Sequence, residues 1–193
     1  VMHGSDDAVV PVEDARTRGS VVLALAQRDF AAPAILFDNE AAAHDITAYV
    51  RERGHERITF VEGPPGLHTS AQRRAGYERA GGVDRVPGGF AYEDGIAAAN
   101  GLLERDALPD AIVAVNDEVA IGVLTRLRDA GVDVPGRVSV AGIDDTRPAH
   151  FVGLTTVSVP LDEMGRRAAR AVLDGDGADV VLPHALAVRH TTR

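Results

Sequence analysis

Apolar and polar positions divide this chain into two kinds of segment that follow one another in turn. Short apolar runs typical of buried strands alternate with longer stretches in which apolar residues recur at helical spacing, as Ala42, Ile46 and Val50 do. The alternation predicts βαβ units built on a parallel sheet. The predicted strands are 21–25, 34–37, 58–61, 111–115, 138–143 and 155–159, the predicted helices are 39–53, 69–80, 92–104, 118–130 and 161–173, and apolar segments at 180–182 and 186–188 finish the chain.

Residues with strong terminal preferences mark the ends of these helices. Asp38 and Asn39 are candidates for the cap that begins one helix, and Thr69 with Ser70 for the cap that begins the next. Gly131 is expected in the left-handed conformation that ends the helix at 118–130. Pro160 is expected at or near the first position of the helix at 161–173.

Two predicted strands end in polar pairs, Asn116-Asp117 and Asp144-Asp145. Parallel α/β sheets bind ligands just past the carboxyl ends of their strands, so these pairs are candidate contacts. Asn116 and Asp144 can each be a ligand contact or a turn residue, and the residues alone leave both interpretations open. Asp117 and Asp145 are better explained as caps of helices or turns.

Three further side chains, Thr69, Arg73 and Phe90, lie at other strand-to-helix junctions. Arg73 is predicted in the first turn of its helix, where the helix dipole disfavours a cation, so a ligand oxygen or a facing carboxylate must favour it there. An arginine opposite an aspartate can bind neighbouring hydroxyls, and the Phe90 ring can stack on a sugar or base or simply pack in the core. The set suits a small polyhydroxy or heterocyclic ligand.

The composition narrows the class of protein. The 193 residues are 45% hydrophobic, contain no cysteine or lysine and carry a formal net charge of -9. The chain is therefore long enough and apolar enough to bury a hydrophobic core. The absence of cysteine excludes disulfides and thiolate metal sites. The chain lacks the basic surface expected of a nucleic-acid-binding domain, and no apolar run reaches membrane-spanning length. We expect a soluble cytoplasmic protein with no membrane partner.

Motifs for enzymatic chemistry are missing from the sequence. There is no phosphate-binding glycine loop, no dinucleotide fingerprint, no serine nucleophile elbow, and the seven histidines show no metal-ligand spacing. We therefore expect no enzymatic activity, no metal and no cofactor.

The order of motifs along the chain resembles the effector-binding core of LacI/GalR transcription regulators. The segments that carry the resemblance include Phe37-Asp38-Asn39-Glu40, Arg53-Gly54-His55-Glu56-Arg57-Ile58, Arg73-Arg74-Ala75-Gly76-Tyr77, Val115-Asn116-Asp117-Glu118-Val119-Ala120, Val138-Ser139-Val140-Ala141-Gly142-Ile143-Asp144-Asp145, Leu154-Thr155-Thr156-Val157 and Leu182-Pro183. They run in the family's order and spacing from about Val21 onward.

The resemblance implies an α/β fold of two similar parallel-sheet lobes of the periplasmic binding protein type, with a cleft between them for a small effector, which we expect to be a sugar. The N-terminal lobe would comprise 1–37 and 158–180, and the C-terminal lobe 38–157 and 181–193. The implied effector contacts are Thr69, Arg73, Phe90, Asn116 and Asp144, and the implied specificity positions are Leu25, Gln27, Leu67, Val159 and Leu161.

The family also implies a homodimer that reaches operator DNA through an N-terminal helix-turn-helix domain. That domain and the first part of the N-terminal lobe have no counterpart in this sequence, so we expect a truncated chain with an incomplete N-terminal lobe. The alternative function is a periplasmic-type sugar receptor of a transport system, which has the same fold. A small-molecule enzyme on a flavodoxin-like sheet is a third hypothesis, weakened by the missing motifs.

Overall fold

The computed structural model describes residues 23–24, 34–174 and 179–193. They form nine strands and six helices in two compact units, a larger unit of residues 39–159 and 185–193 and a smaller unit made of the described residues up to 38 and from 160 to 184. The strands are β1 (Leu23–Ala24), β2 (Ala34–Phe37), β3 (Ile58–Val61), β4 (Asp84–Val86), β5 (Ala111–Ala114), β6 (Ser139–Ala141), β7 (Thr156–Ser158), β8 (Val180–Leu182) and β9 (Ala185–Ala187). The helices are α1 (Asn39–Glu52), α2 (His68–Arg79), α3 (Tyr92–Leu103), α4 (Asp117–Asp129), α5 (Arg147–Val152) and α6 (Leu161–Asp174).

The larger unit is built on a four-stranded parallel sheet in the order β4-β3-β5-β6. Every residue of β3 and β5 is buried, as expected for strands that helices cover on both faces. The register pairs Val61 with Ala114, so the two central strands end at the same edge of the sheet. The predicted βαβ architecture is confirmed, and the edge that the prediction chose for a ligand is present.

Helices α1 with α2 and α3 with α4 pack closely because glycines lie at both contacts. A Cβ atom on Gly76 of α2 would collide with the backbone carbonyl oxygen of Glu40 in α1. On the second pair, a Cβ atom on Gly122 of α4 would collide with the carbonyl oxygen of Tyr92 and would lie 3.1 Å from the Cα of Gly95 in α3. These contacts fix the positions of α2 and α4, whose first turns follow the carboxyl ends of β3 and β5.

The smaller unit contains a three-stranded parallel sheet in the order β1-β2-β8. The backbone N–H of Ala34 donates to the Asp179 carboxylate at 3.1 Å, which links the starts of β2 and β8. Met164 is the buried residue of α6. Leu25 and Gln27, two predicted specificity positions, lie outside the described residues.

Three features of the fold differ from the sequence prediction. Helix α5 and strand β4 were not predicted, because α5 has only six residues with Pro148 at its start and β4 is three half-buried or exposed residues. Strands β7 and β9 pair antiparallel, with Val157 opposite Leu186, whereas a parallel arrangement was expected throughout. The partner of β9 is thus β7, and the short apolar pattern of β9 could not predict either this partner or the antiparallel direction.

The helix ends agree with the prediction in part. Gly131 has a φ of +75° just after α4, as predicted. Helix α2 begins at His68 with Leu67 at the cap position and no side-chain cap, so the prediction of Thr69 and Ser70 as caps was wrong. Both residues lie inside the first turn, where the backbone is already helical. Pro160 precedes α6, and its carbonyl oxygen accepts from the Met164 N–H at 2.9 Å.

Within the part of the chain that the structure describes, none of the helices is long and apolar enough to cross a membrane.

Candidate functional site

A buried arginine and an aspartate meet at the carboxyl edge of the larger sheet. Arg73 projects from α2, and its guanidinium donates to three oxygens: Asn39 Oδ1 at 2.9 Å, the Val115 carbonyl at 2.5 Å and Asp144 Oδ1 at 3.0 Å. These acceptors come from the start of α1, the end of β5 and the loop after β6. One side chain therefore ties together three segments that are far apart in sequence.

The position of Arg73 corrects one step of the sequence argument. Since α2 begins at His68, Arg73 lies in the second turn and not in the first, so the helix dipole is not what needs to be offset there. The guanidinium does face a carboxylate, that of Asp144, which is one of the two partners that the sequence analysis predicted for it. The side chain of Arg73 is 6% exposed and that of Asp144 29% exposed, so Asp144 is the more accessible member of the pair.

The loop that carries Asp144 has an unusual backbone. Asp144 has a φ of +136° and Asp145 a φ of +61°, both in the region that non-glycine residues rarely adopt. Each such residue costs on the order of 1–3 kcal/mol and persists only where its surroundings impose it. Here the Asp144 N–H donates to the Val157 carbonyl at 2.9 Å, and the Ile143 carbonyl accepts from the Asp117 N–H at 2.9 Å. Strained backbone of this kind is found most often at active sites and ligand-binding loops.

A buried carboxylate, that of Asp117, binds the loop that follows β6. Asp117 is fully buried and accepts from the Thr146 N–H at 2.7 Å, from the Thr146 hydroxyl at 3.1 Å and from the Thr156 hydroxyl at 2.5 Å. Burial raises the pKa of the Asp117 carboxyl above its ordinary value, while the Thr156 hydrogen bond acts in the opposite direction. The expectation that Asp117 caps a helix was wrong, because its carboxylate joins α4 to the loop after β6 and to the first residue of β7.

The cap of α4 is instead Asn116. Its Oδ1 accepts from the Val119 N–H at 2.9 Å, and its Nδ2 donates to the Phe90 carbonyl at 3.0 Å. Of the two interpretations left open by the sequence, the structural one is therefore realised, and a ligand contact at Asn116 stays a prediction.

Asp145 also has a role that its sequence context does not reveal. Its carboxylate pairs with the Arg189 guanidinium at 2.5 Å and with His150 Nε2 at 3.1 Å. It does not cap α5, whose cap position is Thr146 and has no side-chain cap hydrogen bond. Arg189, in the segment after β9, thereby binds the strained loop at Asp145, next to the residue that Arg73 binds.

The remaining predicted contacts occupy the neighbouring surface to different extents. Thr69 and Phe90 are half-buried, and the ring of Phe90 lies against Gly63, where a Cβ atom would come within 3.0 Å of it. Among the predicted specificity positions, Leu67 is half-buried at the cap of α2, Val159 is buried and Leu161 is half exposed at the start of α6 in the smaller unit. The structure brings Arg73 and Asp144 into direct contact and connects Asn116 to Phe90.

Two residues of this region were missed by sequence reasoning. Asn39 was assigned to a helix start, but its Oδ1 binds Arg73 and its Nδ2 donates to Gln72 Oε1 at 3.3 Å. Ser70 is buried, and its hydroxyl has no hydrogen-bond partner among the described residues. Neither fact leaves a local signal, because the partners of Asn39 and the burial of Ser70 are both set by the tertiary fold. The described residues also contain no group of three or more His, Asp or Glu side chains that could hold a metal ion.

Comparison with known proteins identifies related sequences. The model of a family described as periplasmic binding protein-like domain matches residues 47–192. Catabolite control protein A of Priestia megaterium is 33% identical over 180 residues, which cover 83% of this chain and 54% of that protein. The transcriptional repressor CytR of Escherichia coli K12 is 33% identical over 152 residues, covering 74% of this chain and 45% of that protein. The chain thus spans about half the length of these relatives.

Solved structures have the same fold. A LacI transcriptional regulator from a Rhodococcus species superposes with a TM-score of 0.87 at 30% identity, covering 99% of this chain and 75% of that one. A LacI family regulator from Enterococcus faecalis, solved with bound ribose, gives a TM-score of 0.86 at 23% identity, covering 97% of this chain and 73% of that one. At that lower identity the likeness establishes the fold alone.

Proposed function

Because the chain belongs to the periplasmic-binding-protein-like family, in the form carried by LacI-type transcription regulators, we propose that it is the ligand-sensing core of such a regulator. The ligand is a small uncharged molecule with neighbouring hydroxyls, a sugar in the first instance. The observation that carries the proposal is the Arg73–Asp144 pair at the carboxyl edge of the parallel sheet.

The chemistry of this pair favours hydroxyl groups over anions. The Arg73 charge is already matched by Asp144, and the carboxylate is the member of the pair that solvent reaches more easily. A hydroxyl can donate to that carboxylate and accept from a neighbouring N–H, which makes a charge-assisted hydrogen bond of the strong class. An anionic ligand would meet the negative carboxylate first. The half-buried Phe90 ring offers an apolar surface for the carbon face of a sugar.

The ligand of related structures supplies the first probe. The Enterococcus faecalis regulator was solved with ribose, and so was a second regulator from Enterococcus faecium that is 22% identical to this chain. D-Ribose therefore heads a panel of pentoses, hexoses and nucleosides. We also propose Thr69, Phe90 and Asn116 as contacts, with Leu67, Val159 and Leu161 adjusting which ligand fits.

Isothermal titration calorimetry of the panel tests the proposal. Asp144→Asn should weaken the binding of the best ligand by about 10- to 100-fold, since the negative charge that strengthens the hydrogen bond is lost. Asp110→Asn is the matched control, because Asp110 also pairs with an arginine, Arg57, at 2.7 Å and is similarly accessible, but it precedes β5 at the opposite edge of the sheet. Equal affinities for wild type and Asp144→Asn, or no binding across the panel, would contradict the proposal.

In the complete regulator, ligand binding would bias DNA-binding domains through a shift between two conformations, each with its own affinity for the ligand. We propose that the regulator acts in the cytoplasm as a homodimer on operator DNA. Light scattering of this chain tests the dimer directly, with a mass of one chain as the contrary result. A transport receptor is not favoured, because the named relatives are transcriptional regulators.

A further inference from the structure

The chain passes between the two compact units at three points. The crossings follow Asp38, Val159 and His184. The residues of the larger unit that adjoin them are therefore Asn39, Val159 and Ala185. The contacts of these three residues show which side chains and backbone groups of the larger unit bind the chain next to each crossing.

The first crossing is joined to Arg73. Asn39 is the first residue of α1, directly after the crossing, and its Oδ1 accepts from Arg73 Nε at 2.9 Å. The same amide donates to Gln72 Oε1 at 3.3 Å, which orients the oxygen toward the guanidinium.

The second and third crossings are joined to Asp144. The Val159 N–H donates to the Asp144 carbonyl at 3.4 Å, and Asp144 forms an isolated parallel bridge with Ser158. Ser158 is paired in turn with Ala185 in the β7–β9 ladder. The strained residue of the candidate site is therefore bonded directly to Val159 at the second crossing, and its bridge partner Ser158 is paired with Ala185 at the third.

From these contacts we propose that the Arg73–Asp144 pair connects the three crossing points, and that Asn39 is a positioning residue that couples the first crossing to the other two through Arg73. A change at Asp144 is passed to Val159 through the backbone and to Asn39 through the guanidinium. The inference deepens the proposed function, since it gives ligand binding at the pair a route to the crossings. It does not depend on the identity of the ligand, and its test needs none.

Amide hydrogen exchange measured by NMR on the ligand-free chain tests the coupling. Asn39→Ala should speed exchange of the Val159 N–H by about threefold or more, which is within the range of measured coupling energies. The Arg73 Nε–H, which loses its acceptor, should also exchange faster. Asn39→Asp keeps an oxygen for Arg73 and should leave both protons within about twofold of wild type. The Val113 N–H in β5 reports global unfolding and should not change.

A neighbouring substitution separates coupling from a general effect on α1. Glu40→Ala removes an exposed ion pair with Arg79 from the same helical turn and should leave the Val159 N–H within about twofold of wild type. Asn39→Ala should also add nothing further in an Asp144→Ala background, because both changes remove an acceptor of Arg73 and interrupt one route. Unchanged Val159 exchange in Asn39→Ala, equal effects of Asn39→Ala and Asn39→Asp, or additive effects in the double variant would each overturn the inference. Failure of every sugar to bind would contradict the proposed function and leave these results unaffected.

Discussion

The contact between α3 and α4 predicts opposite effects for one substitution made at two positions. Gly122 of α4 faces α3, and an added Cβ would run into the carbonyl oxygen of Tyr92 and approach the Cα of Gly95 to 3.1 Å. Both obstacles are backbone atoms, so no side-chain rotation can relieve the overlap. Gly101, near the end of α3, has no atom within 4 Å of an added Cβ.

The expected magnitudes follow from two opposing terms. Replacing glycine by alanine inside a helix gains about 1 kcal/mol in helix propensity. Overpacking a close contact costs about 1–3 kcal/mol, and a backbone obstacle places Gly122→Ala at the upper end of that range. The net expectation is a loss of about 1–2 kcal/mol for Gly122→Ala. Gly101→Ala carries only the propensity gain and should stabilise the protein by about 0.5–1 kcal/mol.

Thermal unfolding followed by circular dichroism measures both variants under one set of conditions. For a chain of this size, 1 kcal/mol moves the Tm by about 2–4 °C. Gly122→Ala should therefore lower the Tm by about 2–8 °C, and Gly101→Ala should raise it by about 1–4 °C. If Gly122→Ala melts at or above the wild-type temperature, the two helices do not depend on a glycine contact and the reasoning fails.

Two further predictions concern His55 and Asn116. The His55 side chain is buried beside the Ser139 hydroxyl, and burial lowers the pKa of its imidazole below the ordinary value of 6.5. The unfolded chain therefore takes up this proton first as the pH falls below about 6.5, so stability decreases there. In urea unfolding at pH 7.5 and 5.5, His55→Gln should lose less stability than wild type; an equal loss would contradict the pKa argument. Asn116→Ala removes the cap of α4 and should cost about 1 kcal/mol in free energy of unfolding. Asn116→Asp retains the acceptor for Val119 and should recover most of that loss in the same assay, whereas equal stability of the two variants would show that the cap contributes little.

The sequence predicted those elements whose own residues decide their structure. The fully apolar run of β5 and the helix that follows it, ended by Gly131, were both recognised because burial and a left-handed terminus leave local patterns. Helix α5 and the β7–β9 pair were missed for the opposite reason. They are short, and their stability comes from partners distant in the chain, as with Thr156 opposite Ala187.

The same distinction applies to the candidate site. Residue type and strand-end position were enough to single out Arg73 and Asp144, which the structure brings to 3.0 Å although 71 residues separate them. They were not enough for Asn39 and Asp117, since Asn and Asp at a helix start predict caps whatever else the side chain contacts. Only the tertiary fold shows that Asn39 binds Arg73 and that Asp117 binds two threonines.

The strained loop and its supports bear on the sensing role proposed for the site. Asp144 and Asp145 adopt unfavourable backbone angles because Asp117, Arg73 and Arg189 hold the loop on separate sides. In the proposed function, a ligand that hydrogen-bonds to the Asp144 carboxylate would change one of these supports directly. Because the Asp144 backbone is also bonded to Val157 and Val159, that change would reach the strand that precedes a crossing without any further intermediary. A carboxylate on a loop with unstrained backbone angles would also bind a hydroxyl. Such a loop would store little backbone strain, so ligand binding would have little strain energy to release into a change of conformation.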